Sequence, residues 1–501
     1  MRELWSNSKK HRAPLFEAMA AHHRKKPASF HVPGHKSGMG ADATAASFYE
    51  QILSIDYTEI TGLDDLHQAD GVILEAQHLA ADCFGAEETL FLVGGSTVGN
   101  LAMISAVCEP GDILFVQRNV HKSVIHGLML AGARAVFLAP QWDPEEGMAA
   151  GVDAKDVEKA LQAYPEAKGL LITNPNYYGM GIDLKLLAEL MHKHNKPLLV
   201  DEAHGAHFGF HPELPPSALS RGADIVVQST HKMLSAMTMG AMLHMQGELI
   251  NRAAVKQRLS ILQSSSPSYP IMGSLDLARR QMHVQGKALL QEGLLVVKAC
   301  IAELKKLSCY GLTHPTSAAA AYTYQDPFKI GIYDAMGTLS GPELRDQLEA
   351  YGCYAEMADE KRVLLVFTWG TTKEDAARIV QALVNICEER KLQKKEKSER
   401  IANKIKMTPF IQFSDPVAFQ LYPARETNGR ENQETEWVSI KDAIGKRSAR
   451  MVIPYPPGIP LWYPGEWITA RSAEYLQELA ASGIKFQGMP GGNLQNIEVF
   501  T

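Results

Sequence analysis

The sequence predicts an α/β fold built on a mostly parallel sheet, followed by a smaller α+β unit and a C-terminal α+β module. Three observations lead there. Between about Val72 and Gln263, apolar runs of strand length alternate with segments of helical period, the rhythm of a parallel sheet with crossover helices. Several of those runs end in Gly, Asn, Asp or Ser, where loops begin. After Ser274 the rhythm changes to one long helix and then mixed elements, and a length of 501 residues is too great for a single ordinary core.

Residues 1–71 form an N-terminal segment whose first 26 residues are basic and polar, with no apolar run of the signal-peptide kind. Residues 72–273 form the large domain, with candidate strands at 89–93, 112–117, 134–138, 169–173, 197–201, 225–229 and 240–245. Residues 274–395 form the small domain, with a long helix over 274–307 and a strand over 362–367. The charge-dense run 388–406 reads as a solvated helix or linker rather than a binding tail. Residues 396–501 form a C-terminal unit marked by PYPPGIPLWYPGE at 454–466. There is no internal repeat.

Hydrophobic content of 46% and charged content of 21% are those of a soluble globular chain, and a net charge of -6 argues against nucleic-acid binding through bulk electrostatics. No apolar stretch reaches the roughly 18 residues of a membrane span. Six scattered cysteines, Cys83, Cys108, Cys300, Cys309, Cys353 and Cys387, show no CxxC pair and no disulfide-like spacing, so they are expected to be free thiols in a reducing cytoplasm.

Four elements carry chemistry. VGGSTVGN (93–100) follows a strand and opens an apolar helix, so its backbone N–H groups and the Ser96 and Thr97 hydroxyls can meet an anion at a helix N-terminus. It lacks the Gly-Lys-Ser/Thr ending of a Walker loop. Asp201 ends the apolar run KPLLVDEAH, where a carboxylate can keep the pyridine nitrogen of pyridoxal 5'-phosphate protonated and make the ring an electron sink. QSTHK (228–232) ends another strand. There Ser229 and His231 can reach a phosphate while Lys232, followed by the small and sulfur-containing run MLSAMTMGAM, reaches an aldehyde as a nucleophilic amine. His121, in RNVHKSVIHG, can stack on a flat ring. Taken singly, each has an ordinary reading: a helix cap, a turn cap, a surface lysine, a solvated histidine. The His204/His207 and His192/His194 pairs have loose metal-like spacing, but no acidic or thiol set completes a tetrahedral site, so no metal is expected.

Together GGSTVGN, RNVHKS, TNPNYYG, DEAHGAH and STHK, in that order, resemble the Orn/Lys/Arg decarboxylase family of fold type I (aspartate aminotransferase-like) pyridoxal-phosphate enzymes. FHVPGHKSG (30–38), LDDLH (63–67) and the 455–466 segment extend the likeness over nearly the whole chain, nearest to the short Bacillus-type arginine or lysine decarboxylases. The resemblance implies no N-terminal wing domain of the kind found in the large inducible enzymes. It implies that Lys232 holds pyridoxal 5'-phosphate as a Schiff base and that Asp201 pairs with the pyridine nitrogen. It also implies that His121 and Ala203 cover the two ring faces, and that Ser96, Thr97, Ser229 and His231 hold the phosphate. His204 stands in the cofactor pocket where the large enzymes have a tryptophan. Glu466 matches the acidic residue that faces the substrate's distal cation. A homodimer, or a dimer-based oligomer with active sites at the interface, is implied as well.

The expected reaction is decarboxylation of a basic L-amino acid, arginine first and lysine or ornithine as alternatives. An aminotransferase usually holds the substrate carboxylate with a small-domain arginine, and the 362–367 strand offers only Arg362, at its start. Alternatives of another kind are a fold type I aminotransferase and a catalytically silent cofactor-binding regulator. The presence of Lys232, Asp201 and His121 together argues against the silent scaffold.

Overall fold

The computed structural model describes residues 9–143, 146–313, 322–393, 413–419, 435–455, 459–481, 485–487 and 496–501. Its centre is an eight-stranded sheet. The strands are β1 (Glu88–Leu92), β2 (Ile113–Gln117), β3 (Arg134–Leu138), β4 (Leu170–Thr173), β5 (Leu198–Asp201), β6 (Ile225–Gln228), β7 (Ala241–Met245) and a short β12 (Val417–Ala418). Their spatial order is β1-β7-β6-β5-β4-β2-β3-β12. The run β6-β5-β4-β2-β3 is parallel, and β7 lies antiparallel to both β6 and β1. All seven expected strands are present, each within a residue of its expected limits.

Side chains from these strands alternate between two cores. Phe115, Ile172, Val200 and Val226 enter one, and Val116, Leu171, Leu199 and Val227 the other. A sheet covered on both faces explains why the strands read as unbroken apolar runs rather than as an alternating pattern. Helix α3 (Gly95–Val107) lies so close to the sheet that a Cβ at Gly99 would meet Val227 Cγ2 at 2.5 Å. Glycine at that position lets the helix bring its first turn over the end of β6.

Helix α1 (Pro14–Arg24) and helix α2 (Val72–Phe84) precede the sheet, and α4 (Lys122–Ala131) follows β2. The long helix is α5 (Tyr269–Leu304), starting earlier than 274 behind a Ser268 N-cap that accepts from the Ile271 N–H. It packs on α1 and α2 and also on α6 (Lys373–Gln393) of the small unit. That unit is an antiparallel sheet ordered β8 (Tyr310–Leu312), β9 (Lys329–Asp334), β11 (Arg362–Val366), β10 (Met357–Ala358). Further on, β13 (Thr435–Ser439), β15 (Asn496–Phe500) and β14 (Arg447–Ser448) make a third sheet, with α7 (Ala470–Ala481) on its core.

One expectation needs correction. Cys309 and Cys387 form a disulfide between the start of β8 and helix α6, a pairing that their separation of 78 residues concealed. Within the C-terminal unit expected over 396–501, β12 adds to β3 at the edge of the large sheet. The 388–406 run falls partly in α6, and its remainder lies outside the described residues. No helix among the described residues is long and apolar enough to cross a membrane.

Candidate active site

The chain leaves β2 toward β3 on one side and returns through β4, β5 and β6 on the other. The order therefore reverses between β2 and β4, and ligands of open α/β sheets sit beyond the strand ends at such a point. His121 follows β2, Asp201 ends β5, Ser229 follows β6, and a single helical turn (Thr230–Met233) carries His231 and Lys232.

Asp201 is 2% exposed. Its Oδ2 accepts from Asn100 Nδ2 at 2.8 Å and its Oδ1 from the Ala203 amide at 3.1 Å. No cation lies within ion-pair distance of it among the described residues, an expensive state for a buried carboxylate. Asn100 Nδ2 also donates to Ser123 Oγ at 2.9 Å. The Ser123 N–H donates to His121 Nδ1 at 3.2 Å, which leaves the neutral ring's proton on Nε2. Burial, aided by Lys232 and Lys122 and opposed by Asp201, lowers the His121 pKa to about 4, so the ring is uncharged at neutral pH.

Lys232 is partly exposed and makes no ion pair among the described residues. Its Nζ lies 3.0 Å from His204 Nε2. Desolvation lowers its pKa against the pull of Asp201 and Glu356. On the ring's other side, His204 Nδ1 lies 3.0 Å from Nζ of Lys329, on β9. Burial, with Lys232 and Lys329 beside the ring, holds His204 well below the ordinary histidine range. Ser229 Oγ donates to Ser96 Oγ at 2.7 Å, joining the end of β6 to the first turn of α3, where Thr97 is exposed. His231 Nδ1 lies 3.0 Å from the Gly240 carbonyl, and burial lowers its pKa.

A helix N-terminus with two serine hydroxyls, a buried carboxylate lacking a cation, an uncharged imidazole and a lysine of depressed basicity complement a phosphorylated pyridine aldehyde. The buried Thr230 Oγ1 and Asn100 Oδ1, which have no hydrogen-bond partner among the described residues, add polar capacity at the same place. The residues fit the cofactor.

The profile of the Orn/Lys/Arg decarboxylase major domain matches residues 13–375, and that of the family's C-terminal domain matches residues 410–493. The chain belongs to the Orn/Lys/Arg decarboxylase family. It is 36% identical to an arginine decarboxylase of Bacillus subtilis over 98% of both chains, and 42% identical to the uncharacterized protein YaaO of the same organism over 95% of this chain and 96% of that one. The constitutive lysine decarboxylase of E. coli, as a solved structure, superposes with a TM-score of 0.78 at 20% identity, covering 98% of this chain and 82% of that one. The fold is that of the fold type I enzymes, and pyridoxal 5'-phosphate is the cofactor.

Within this decarboxylase fold, one histidine of each closely spaced pair faces a carboxylate. His207 Nε2 meets Asp326 Oδ2 at 3.1 Å, both buried, and His192 Nε2 meets Asp224 Oδ2 at 2.9 Å. Glu466 is engaged within the chain. Both of its oxygens accept from Arg118 Nη2 at 3.0 Å, and Oε2 takes the Tyr463 amide at 2.9 Å. Inside this chain its charge is paired with that of Arg118. Arg362 is buried against Glu146 and Asp359. Sequence reasoning missed Asn100, Ser123, Tyr177 and Lys329. The first three lie inside the motifs GGSTVGN, RNVHKS and TNPNYYG and carried a signal; Lys329 stands in an unremarkable strand and carried none.

Proposed function

We propose that this chain decarboxylates a basic L-amino acid, with arginine as substrate and agmatine and CO2 as products. The observation that carries the reading is 36% identity over 98% of both chains with an arginine decarboxylase, joined to a Lys232–Asp201 site of the required chemistry. The named lysine decarboxylases are more distant, at 24% identity or less.

Lys232 holds the cofactor through its weakly basic amine. Asp201, aligned by Asn100 and the Ala203 amide, keeps a proton on the pyridine nitrogen. His121 and Ala203 would cover the ring, while Ser96, Thr97, Ser229, His231 and the N-terminal N–H groups of α3 would hold the phosphate, with His204 beside Lys232. When bound, the cofactor supplies the sink for the electron pair left by the departing carboxylate. The net change is loss of CO2 and gain of a proton at the α-carbon. Arg362 supports decarboxylation over transamination, because the small-sheet arginine that could hold the carboxylate is already paired in the interior.

The same reading includes a homodimer, a cytoplasmic setting and a role in polyamine formation. A second copy is favoured by apolar side chains left in water near the N-terminus: Phe30 at 95%, Met39 at 89% and Phe48 at 83% exposure. CO2 release by the purified, cofactor-loaded protein from arginine, lysine, ornithine and a neutral amino acid tests the proposal. Arginine should give the highest kcat/KM. Preference for lysine or ornithine would move the substrate, and transamination without CO2 would overturn the reaction.

A further inference from the structure

His204 bridges two lysines that come from different sheets. Lys232 Nζ is 3.0 Å from Nε2 and Lys329 Nζ is 3.0 Å from Nδ1. A neutral imidazole has one N–H and one lone pair, whereas an ammonium group has donors only. If both contacts are hydrogen bonds, the ring N–H must go to an amine lone pair, so one of the two lysines is uncharged. We propose that Lys329 is the proton partner of Lys232, acting through His204 to hold the cofactor lysine as a free amine. The inference rests on the assignment of Lys232 as that lysine.

The exchange balances without an outside acid or base. With Lys232 protonated, it donates to Nε2 while the Nδ1 proton goes to the Lys329 amine. Transfer of the Lys232 proton onto Nε2 and of the Nδ1 proton onto Lys329 gives the mirror arrangement, with the ring still neutral and its tautomer reversed. One ammonium has become an amine, the other the reverse.

The surroundings suit this. Lys329 is 4% exposed and makes no ion pair among the described residues. Burial lowers its pKa to about 8, against Asp326 and Glu356 and with the help of Lys232. It therefore exchanges its proton near neutrality. Asp326 Oδ1 accepts the Phe328 amide at 3.0 Å, and its Oδ2 lies 3.1 Å from His207 Nε2. Glu356, which reaches toward both lysines from before β10, accepts from the Tyr177 hydroxyl at 2.5 Å. The Tyr177 ring lies 5.9 Å from Lys232 Nζ and 5.6 Å from Lys329 Nζ, and its centroid is 4.4 Å from that of His204. The remaining titratable neighbours are Asp201, which favours a charged Lys232, and His121 and His231, both neutral. The Lys329 stem is held by close packing: a Cβ at Gly179, where φ is +85°, would meet its Cγ at 2.8 Å.

The test follows recapture of pyridoxal 5'-phosphate by absorbance in the full-length protein after cofactor removal. The range is about pH 6 to about pH 10, below and up to the free-lysine value of about 10.4. The wild type should reach its plateau rate below that value. Lys329→Met and His204→Gln should each move the midpoint up by about one unit and slow recapture at pH 7 about tenfold, the factor that one unit represents. The double variant should move it no further. Glutamine can bridge two lysines by hydrogen bonds but cannot exchange its protons for theirs. An unshifted His204→Gln profile would therefore overturn the proposal, whether Lys329→Met shifts by through-space charge or not at all. Should Lys329→Met fail to fold by near-UV circular dichroism, His204→Gln decides alone. Borohydride fixation of the cofactor on a lysine other than Lys232 would instead defeat the assignment beneath it.

Discussion

Two neighbouring corners of the molecule, only three residues apart where β2 ends, treat charge in opposite ways. Arg118 is saturated. Its Nη1 donates to the Pro460 carbonyl at 3.1 Å and to the Tyr463 hydroxyl at 2.8 Å, and its Nη2 to the Leu461 carbonyl at 2.8 Å and to both Glu466 oxygens. Its guanidinium also lies 4.1 Å from the Tyr463 ring centroid. At the cofactor corner, Lys232, Lys329 and Asp201 have no ion-pair partner among the described residues, and His121 and His204 are kept neutral. Saturated charge fixes geometry, here the seat of residues 460–466 on the large sheet. Unsaturated charge preserves reactivity, and the fold supplies the stability from elsewhere.

The largest effect should come from removing the reactive side of this contrast. Lys232→Ala should abolish turnover, and its melting temperature should not fall, since a poorly solvated amine beside Lys329 and His204 is lost. Marked destabilisation, measured by calorimetry, would mean that Lys232 is a structural residue. Asp201→Asn keeps the size and the Asn100 contact but loses the charge. It should reduce kcat by a factor on the order of a thousand, about 4 kcal/mol of transition-state stabilisation, with weaker cofactor retention. A kcat near that of the wild type would remove the carboxylate from the chemistry.

On the saturated side, Arg118→Met should leave recapture of the cofactor by Lys232 intact while costing about 3 kcal/mol of stability, because five acceptors lose one donor group. Urea unfolding reads this directly. An activity loss without a stability loss would place Arg118 in the catalytic machinery.

The large sheet was legible because its strands are buried on both faces and so read as apolar runs closed by polar punctuation. Lys232, Asp201 and His121 were legible because each closes such a run or follows one. Glu466 was placed by its motif, yet its partner Arg118 lies 348 residues away, and no local pattern announces a pairing of that span. Lys329 was invisible for a related reason: a lysine in the strand KIGIYD reads as a polar edge position until the fold brings it to His204, beyond the end of β5. The Cys309–Cys387 disulfide was hidden in the same way.

A smaller effect separates the corners by pH. The His121 pKa is about 4 in the fold, below the unfolded value of about 6.5. Between those values the unfolded chain binds more protons, so stability falls as pH drops from about 6.5 toward 4. By about pH 5 the loss should be at most about 2 kcal/mol. Denaturant midpoints measured across this range should slope less in His121→Asn. An equal slope in both proteins would show that the imidazole titrates freely.

The smallest effect should come from Glu466→Gln, and it is the change that most sharpens the contrast. Glutamine keeps an oxygen for the Arg118 guanidinium and can still accept the Tyr463 amide, so only the charge assistance is lost. Glu466 is about one-third exposed, with a side-chain exposure of 32%, and solvent screens part of that attraction. The expected cost is about 1 kcal/mol, well below that of Arg118→Met, because the arginine retains its carbonyl and tyrosine acceptors. If Glu466 acts as a docking residue, KM for arginine should stay within about twofold of the wild type, a change worth less than about 0.5 kcal/mol. The double variant with Arg118→Met should then lose little beyond Arg118→Met alone, the coupling expected of one shared contact. A large rise in KM for arginine with an unchanged unfolding midpoint would return the distal-cation role to Glu466, and would mean that the Arg118 pairing opens when substrate enters.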